Sequence, residues 1–305
     1  MVKDIYFKQA RLVLQLLPFV MKQDHFALKG GTAINFFVRD LPRLSIDIDL
    51  TYIPLENRTK SIENVSNSLK DISRAVKKAM SNIRIVPKIL PDSNLWRGVI
   101  IERDGAVVKI EPNLIIRGTV FPCEERELSK NAEELFEISM SVRTLSLADM
   151  YGGKICASLD RQHPRDLFDI KLLLENEGLT DNIRKAFLVY LISHNRPIHE
   201  LLSPGFVDTK SIFEKEFSGM TRIDIKYGEL LEAREELISK IKNHLTDDEK
   251  MFLMSFKKRE PDWNLLGLKG IEELPAVRWK LINLNKMSAN KHLAAFDKLK
   301  KVLGF

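Results

Sequence analysis

The run SIDIDLTYI near residue 50 alternates apolar and polar side chains over its first positions. Such a period of two predicts a β-strand in which Ile46, Ile48 and Leu50 face one side. Asp47 and Asp49 then lie together on the opposite face. Two carboxylates held this close repel each other, so their pairing favours a site where a cation binds between them.

A second alternating run, AVVKIEPN, predicts a strand with Val107, Lys109 and Glu111 on one face. If this strand is a neighbour of the first, Glu111 stands beside the aspartate pair and supplies a third carboxylate. Three acids in this arrangement are typical of sites that hold divalent metal ions. The alternative is an exposed strand carboxylate that simply pairs with Lys109.

The remaining pattern divides the chain into two halves. Before about residue 145 it predicts amphipathic helices over 4–21 and 57–80, strands in FALKGG and IRIVPKI, and a hairpin joining NLWRGVIIERDG to AVVKIEPNLIIRG at Asp104-Gly105. After it, apolar residues recur at helical spacing in one segment after another. We therefore expect a mixed α/β domain over 1–145 and a helical domain over 146–305.

Composition narrows the class of protein. The chain has 305 residues, of which 44% are hydrophobic and 30% charged, as expected for folded domains. It contains no apolar run of roughly 18 residues and no recognisable export signal, so we expect a cytoplasmic protein without a membrane segment. Cys123 and Cys156 fit no disulfide or metal framework. The net charge of +6 favours polyanionic partners without identifying one.

The diglycine of LKGGTAINFFV precedes a short predicted helix, Thr32 to Val38. Gly30 and Gly31 allow the main chain to approach a ligand closely, and the amides that follow favour phosphate, to which Thr32 adds a hydroxyl. A diglycine alone is common in loops, but its position between a strand and the paired aspartates makes a site for nucleotide phosphates and Mg²⁺ the stronger interpretation.

The order GGT, SIDID and KIE resembles the nucleotidyltransferase superfamily of DNA polymerase beta. It is more similar still to the AbiEii/AbiGii-type toxins of abortive-infection and type IV toxin–antitoxin systems, which include the MenT enzymes. That family's motifs read LKGGTAL and LPRLSxDIDL, and this chain has LKGGTAI and LPRLSIDIDL. The similarity extends from residue 25 to about 285. It implies a polymerase-beta-like mixed sheet with flanking helices, followed by an α-helical C-terminal domain.

The helical half carries the family's later motifs in LADMYGGKICASLDRQHPRDLFDIKLLL. Lys154 and Arg161 share a helix face and can contact one anion, such as a triphosphate. The resemblance places Lys154 and Asp169 at active-site positions. Asp166 is expected to hold Arg165 or to cap its helix. The alternative for all of these charges is a solvated surface with ion pairs along the helices.

The resemblance implies a Mg²⁺-dependent enzyme that transfers a nucleotide from NTP to RNA, the acceptor in characterised relatives being the 3′ end of tRNA, and that arrests growth. A cognate antitoxin is the implied protein partner. The predicted catalytic residues are Asp47, Asp49, Glu111, Lys154 and Asp169, with Asp47, Asp49 and Glu111 as metal ligands. The predicted nucleotide contacts are Gly30, Gly31, Thr32, Ser45, Lys154 and Arg161. A phosphate on Ser45 would add negative charge beside the aspartates and is expected to switch activity off.

Two other functions remain open at this level. The same scaffold could transfer a nucleotide to a small molecule or to a protein, or serve as a binding module without catalysis. Two basic runs are possible RNA phosphate contacts, although ordinary solubility explains each lysine equally well. These runs comprise Lys257, Lys258 and Arg259, and Lys298, Lys300 and Lys301.

Overall fold

The computed structural model of the protein describes residues 3–305, and the chain divides into two compact units. The first unit runs to Ser146 and also takes in the later segment Glu214–Ile225. The second consists of Leu147–Phe213 and Lys226–Phe305. The division after Ser146 lies beside the cut expected near residue 145, whereas the return of Glu214–Ile225 to the first unit was not expected.

A mixed sheet forms the centre of the first unit, with seven strands within the described range. They are β1 (Phe26–Lys29), β2 (Asp47–Tyr52), β3 (Ile83–Ile89), β4 (Trp96–Arg103), β5 (Ala106–Asn113), β6 (Glu124–Glu127) and β7 (Ser141–Thr144). Their order across the sheet is β3-β4-β5-β2-β1-β7-β6. β2 pairs antiparallel with β1 and parallel with β5, which places the aspartate strand at the middle of the sheet.

Helices accompany this sheet, as the amphipathic segments predicted. They are α1 (Asp4–Val20), α2 (Gly30–Ala33), α3 (Arg58–Ala79) and α4 (Lys130–Phe136). The short helix predicted from Thr32 begins two residues earlier, at Gly30, and α2 continues into a π-helical turn over Ile34–Val38. The expected fold class, a mixed α/β sheet with flanking helices, is confirmed by these strands and helices.

The alternation of β2 is expressed directly in burial. Ile48 and Leu50 have no exposed surface, whereas Asp47 and Asp49 are half-buried on the other face. The predicted hairpin also forms, because Arg103 of β4 pairs with Ala106 of β5 across two turn residues. Both turn residues, Asp104-Gly105, have positive φ, the conformation that an Asp-Gly sequence favours in tight hairpins.

The segment Glu214–Ile225 is held to the first unit by main-chain hydrogen bonds. Leu44 N donates to Met220 O at 2.8 Å, and Arg222 N donates to Pro42 O at 2.8 Å. An isolated antiparallel bridge joins Arg43 to Thr221 between them. The loop that leads into β2 is therefore fixed by a strand-like partner from much later in the chain.

The described part of the second unit contains helices and no strand. They are α5 (Leu147–Asp160), α6 (Pro164–Glu175), α7 (Asp181–Ser193), α8 (Ile198–Leu202), α9 (Lys210–Ile212), α10 (Tyr227–His244), α11 (Asp247–Lys257), α12 (Pro275–Asn285) and α13 (Ala289–Leu303). α5 packs closely on α7, since a Cβ on Gly152 would lie only 2.8 Å from the main-chain nitrogen of Phe187. The diglycine Gly152-Gly153 therefore allows close packing of α5 on α7. None of the helices within residues 3–305 is long and apolar enough to cross a bilayer.

Candidate active site

The diglycine turn lies directly against the aspartate strand. Gly30 follows the last residue of β1 and has a φ of +70°, a conformation that side chains rarely adopt. A Cβ at this position would lie 2.8 Å from Oδ2 of Asp49. Glycine is therefore required at position 30 both by its positive φ and by the closeness of Asp49. Because Gly30 has no side chain, the main chain of the turn is open beside the Asp49 carboxylate.

Gly31 makes room for a buried arginine that sequence reasoning missed. A Cβ on Gly31 would lie 2.7 Å from Nη2 of Arg43 and 3.0 Å from Oγ of Ser45. Arg43 is 2% exposed, and its Nη1 donates to Leu44 O at 3.0 Å. The arginine brings a positive charge to the turn predicted to bind phosphate. Arg43 lies in the loop LPRLS before β2, so the alternating pattern of the strand could not indicate where its side chain points.

Thr32 connects the turn to the beginning of β2. Its hydroxyl lies 2.5 Å from the main-chain oxygen of Asp47, to which it donates, and 2.9 Å from Oγ of Ser45. Asn35 adds a hydrogen bond from Nδ2 to Gly31 O at 2.9 Å. Thr32 and Ser45 are 1% and 7% exposed. Their predicted contact with nucleotide stays a prediction, while the structure shows both hydroxyls holding the turn in place.

The acids align across neighbouring strands as the sequence predicted. Asp49 on β2 is the register partner of Glu111 on β5, and it is also the partner of Lys29 on β1. Asp47 is the register partner of Lys109. Glu111, Asp49 and Lys29 therefore occupy one row across three strands, with the side chains of paired residues on the same face.

Glu111 does not join the two aspartates in a ready-made metal cluster. Its Oε1 lies 2.5 Å from Nζ of Lys88 on β3. Within residues 3–305, no group of three His, Cys, Asp or Glu side chains is placed to hold a metal ion. The expected three-carboxylate cluster is thus not assembled, because Lys88 holds the third carboxylate. Neither Lys88 nor this pairing was predicted, and the expected alternative partner was Lys109.

Asp47 and Asp49 by themselves still fit a hard divalent cation. Both are half-buried, they project from one face of β2, and the carboxylate of Asp49 borders the open main chain at Gly30. Carboxylate oxygens that retain access to water are the ligands that Mg²⁺ prefers, since this ion keeps several of its own waters. These two residues are the ones that would hold it.

The predicted residues of the second unit form a buried ion-pair cluster. Lys154 of α5 places Nζ 2.9 Å from Oδ1 of Asp166 and 3.0 Å from Oδ2 of Asp169, both on α6. The two aspartates are 1% and 0% exposed, and Lys154 is 8% exposed. Lys154 and Asp169, both expected at active-site positions, are therefore in direct contact.

Arg161 completes this cluster from its more exposed position. Its Nε donates to Oδ2 of Asp166 at 2.6 Å, and its Nη2 donates to Oδ1 at 3.1 Å, a bidentate pairing. Burial alone would raise the pKa of Asp166, but Lys154 and Arg161 outweigh it and hold this pKa below its usual range. Asp166 was expected to hold Arg165 or to cap its helix, and its contacts with Lys154 and Arg161 were not expected. The residue that caps α6 is His163, whose Nδ1 accepts a hydrogen bond from Arg165 N.

The structure resembles that of MenT4, a nucleotidyltransferase toxin from Mycobacterium tuberculosis H37Rv, with a TM-score of 0.61 and 12% identity, covering 97% of this chain and 95% of that chain. JHP933 from Helicobacter pylori gives a TM-score of 0.45 and 16% identity, covering 80% of this chain and 96% of that one. At these identities the first likeness supports the fold alone. No curated protein shows a significant match.

The amino-acid sequence gives the family. Residues 11–283 match the family described as "Nucleotidyl transferase AbiEii toxin, Type IV TA system". The match contains the diglycine turn, the aspartate strand and the buried cluster around Lys154. Because it spans most of the chain, the protein belongs to the AbiEii family of nucleotidyltransferase toxins.

Proposed function

We propose that this nucleotidyltransferase takes an NTP together with Mg²⁺ and transfers the nucleoside monophosphate to an RNA acceptor, the 3′ end of tRNA being the predicted one. One observation carries the proposal. The open main chain of Gly30 lies so close to Asp49 that a Cβ would stand 2.8 Å from its carboxylate oxygen. A phosphate at the turn and a cation at the aspartates would therefore be neighbours, as nucleotidyl transfer requires.

The diglycine turn is proposed to hold the phosphates. With no side chain at Gly30 or Gly31, phosphate oxygens can approach main-chain amides closely. Arg43 supports this role, because its guanidinium lies beside the position that a Gly31 Cβ would take. Thr32 keeps the turn aligned with the strand through its hydrogen bond to Asp47 O. The turn is thus arranged before any ligand arrives, which limits the cost of ordering it on binding.

Asp47 and Asp49 are proposed to hold the metal. Magnesium bound there would offset the negative charge of the triphosphate and of the leaving pyrophosphate. The chain's own contribution is to keep two carboxylates on one face of a central strand, where buried Ile48 and Leu50 fix their direction. Glu111 remains the proposed third acid, since its strand position is the register partner of Asp49.

We propose that Lys154 and Arg161 neutralise negative charge on the leaving pyrophosphate, and that Asp169 orients either the acceptor hydroxyl or Lys154. The contacts among these residues mean that Asp166 and Asp169 determine where the ammonium of Lys154 lies. Replacing Lys154 with Ala is expected to weaken nucleotide binding in the folded protein. Unchanged binding and turnover in a folded Lys154→Ala variant would remove Lys154 from the proposed site.

The family and the net charge support the proposed partner and acceptor. The type IV toxin–antitoxin family implies an antitoxin partner and an NTP substrate. A net charge of +6 supports a polyanionic acceptor such as RNA. Growth arrest would then result from modified RNA that can no longer be used in translation.

An acceptor assay tests this proposal directly. Each NTP, labelled at its α-phosphate, is incubated with the protein and Mg²⁺ in separate RNA, protein and metabolite fractions. We expect label in RNA, and no label with Asp47→Ala. Label confined to protein or to small molecules would replace the RNA acceptor with the corresponding alternative, and no label from any NTP would contradict nucleotidyl transfer.

A further inference from the structure

A row of charged residues crosses the sheet beyond the two aspartates. Lys88 on β3 is the register partner of Gly98 on β4, and Asp49 on β2 is the register partner of Glu111 on β5. Lys88 and Glu111 therefore belong to strands separated by β4. Neighbouring strands lie about 4.8 Å apart, so the two side chains have to cross β4 to meet. They do meet, with Lys88 Nζ 2.5 Å from Glu111 Oε1.

Gly98 is the residue over which this contact forms. A Cβ on Gly98 would lie 3.6 Å from Cγ of Glu111, 3.6 Å from Cδ of Lys88 and 3.0 Å from Ile110 O. A side chain larger than alanine would extend into the space that the ion pair occupies. Glycine within a strand reduces β-sheet stability, and its presence commonly marks a close approach of other groups. Here the groups that approach are the two charged side chains.

The backbone of β3 also changes at this point. The pairing of β3 with β4 shifts register between Lys88 and Ile89. Such irregularities redirect the side chain beside them and are frequent next to functional sites. The side chains of Lys88 and Glu111 are 27% and 41% exposed, so the pair is accessible to ions from solvent. Strand pairing alone does not account for a lysine directed across a neighbouring strand.

Resting on the cation site proposed at Asp47 and Asp49, we propose that Lys88 is a positioning residue that competes with the divalent cation for Glu111. While Lys88 is paired with Glu111, the cation site consists of the carboxylates of Asp47 and Asp49. When a cation binds, Glu111 leaves the ammonium of Lys88 and becomes the third carboxylate at the cation. Lys88 thereby lowers the affinity for a cation that arrives alone.

Divalent cation binding without nucleotide tests this role, because it does not depend on turnover. Mn²⁺ affinity is measured by titration calorimetry or electron paramagnetic resonance for the wild type and for Lys88→Met, which keeps the length of the side chain without its charge. Lys88→Met releases Glu111 from a partly exposed ion pair, so the carboxylate no longer has to give up a partner when the cation binds, and Mn²⁺ binding is expected to tighten by about three- to fivefold. Lys88→Arg is expected to keep the wild-type affinity.

The same substitution in a Glu111→Gln background isolates the mechanism. With no carboxylate to compete for, Lys88→Met is expected to change Mn²⁺ affinity by less than about twofold. Unchanged or weaker binding in Lys88→Met would overturn the proposal. An equal tightening in both backgrounds would overturn it too, since Lys88 would then act only as a distant charge.

Two further variants separate this inference from the proposed function. Arg84 lies on the same strand and pairs with Glu102 of β4 at 3.1 Å, so Arg84→Met removes a comparable ion pair and is expected to leave Mn²⁺ affinity unchanged. Asp49→Asn is expected to abolish binding. If Asp49→Asn binds Mn²⁺ normally, the proposed cation site is wrong. If it abolishes binding while Lys88→Met changes nothing, the cation site stands and only the role of Lys88 fails.

Discussion

Two groups of aspartates in this protein have the same chemistry and opposite surroundings. Asp166 and Asp169 in the second unit are 1% and 0% exposed, and both contact Lys154. Asp47 and Asp49 in the first unit are half-buried on a central strand, beside a glycine turn. Both groups lie within motifs of the same family, so the motif alone does not say which group binds a ligand.

The difference lies in how each negative charge is compensated. Buried charges are costly, and they are retained when partners and hydrogen bonds balance them within the protein. The cluster around Lys154 has this character, which makes it a structural element whatever else it does. Half-exposed carboxylates keep part of their hydration and remain accessible to a cation from solvent. We therefore expect replacement of Asp47 or Asp49 to lower activity with little effect on stability, and replacement of Asp166 to lower stability. The role proposed for Asp169 in transfer would come in addition to its contribution to stability.

The largest expected effect on stability comes from Asp166→Ala. It leaves Lys154 buried with one carboxylate fewer and removes the bidentate partner of Arg161, so it should lower the free energy of unfolding by about 3–5 kcal/mol. Denaturant unfolding at neutral pH measures this. Asp160 pairs with Arg196 at 2.8 Å in a more exposed position, and Asp160→Ala should cost less than about 1 kcal/mol. Equal losses would contradict the comparison.

The stabilisation from Asp166 should also depend on pH. Its pKa in the fold is lower than the ordinary value of 3.8. The carboxylate form therefore stabilises the fold above that pH, and this contribution decreases as the pH is lowered through and below it. Unfolding measured from neutral to acidic pH should show the difference between wild type and Asp166→Ala narrowing at the acidic end.

Gly30→Ala should affect activity more than stability. A non-glycine residue at positive φ costs roughly 1–2 kcal/mol, and here the new methyl group would also displace the carboxylate of Asp49. We expect transfer to fall at least about tenfold, as for other small displacements of reacting groups. Gly105 has a φ of +81° and open surroundings, so Gly105→Ala should show comparable strain without loss of transfer.

Thr32→Val should have the smallest effect. It keeps the shape of the side chain but removes the hydrogen bond to Asp47 O, which should cost about 1 kcal/mol and lower transfer moderately. Thr144→Val offers a matched control, because the hydroxyl of Thr144, the last residue of β7, is also buried and donates to Leu145 O at 2.9 Å. A loss of transfer as large in the control would mean that the effect comes from stability alone.

Local patterns were enough to predict much of the first unit. The alternation in β2 and β5 gave the face on which Asp47, Asp49 and Glu111 lie, because side-chain direction along a strand follows from position alone. The Asp-Gly turn gave the hairpin for the same reason. The neighbouring positions of β2 and β5 were a hypothesis at that stage, and the observed register confirms them.

Contacts between distant segments could not be predicted in this way. The pairing of Lys88 with Glu111 depends on strand order, on register and on the absence of a side chain at Gly98. Arg43 lies in a loop without periodicity, and it is fixed partly by Thr221, far along the chain. Asp166 looked like a helix cap in sequence because its partner Lys154 belongs to another helix and its partner Arg161 lies in the turn after that helix. Each of these contacts joins residues from different segments of the chain, and local sequence patterns do not reveal which segments pack together.

The most direct test of the central claim is nucleotide transfer by Asp49→Asn, measured together with its stability. Loss of a metal-binding carboxylate should lower transfer to RNA by about a thousandfold, as expected when several kcal/mol of transition-state stabilisation are removed. The free energy of unfolding should change by less than about 1 kcal/mol, because Asp49 is only partly buried. A folded Asp49→Asn variant that transfers nucleotide at the wild-type rate would contradict the account.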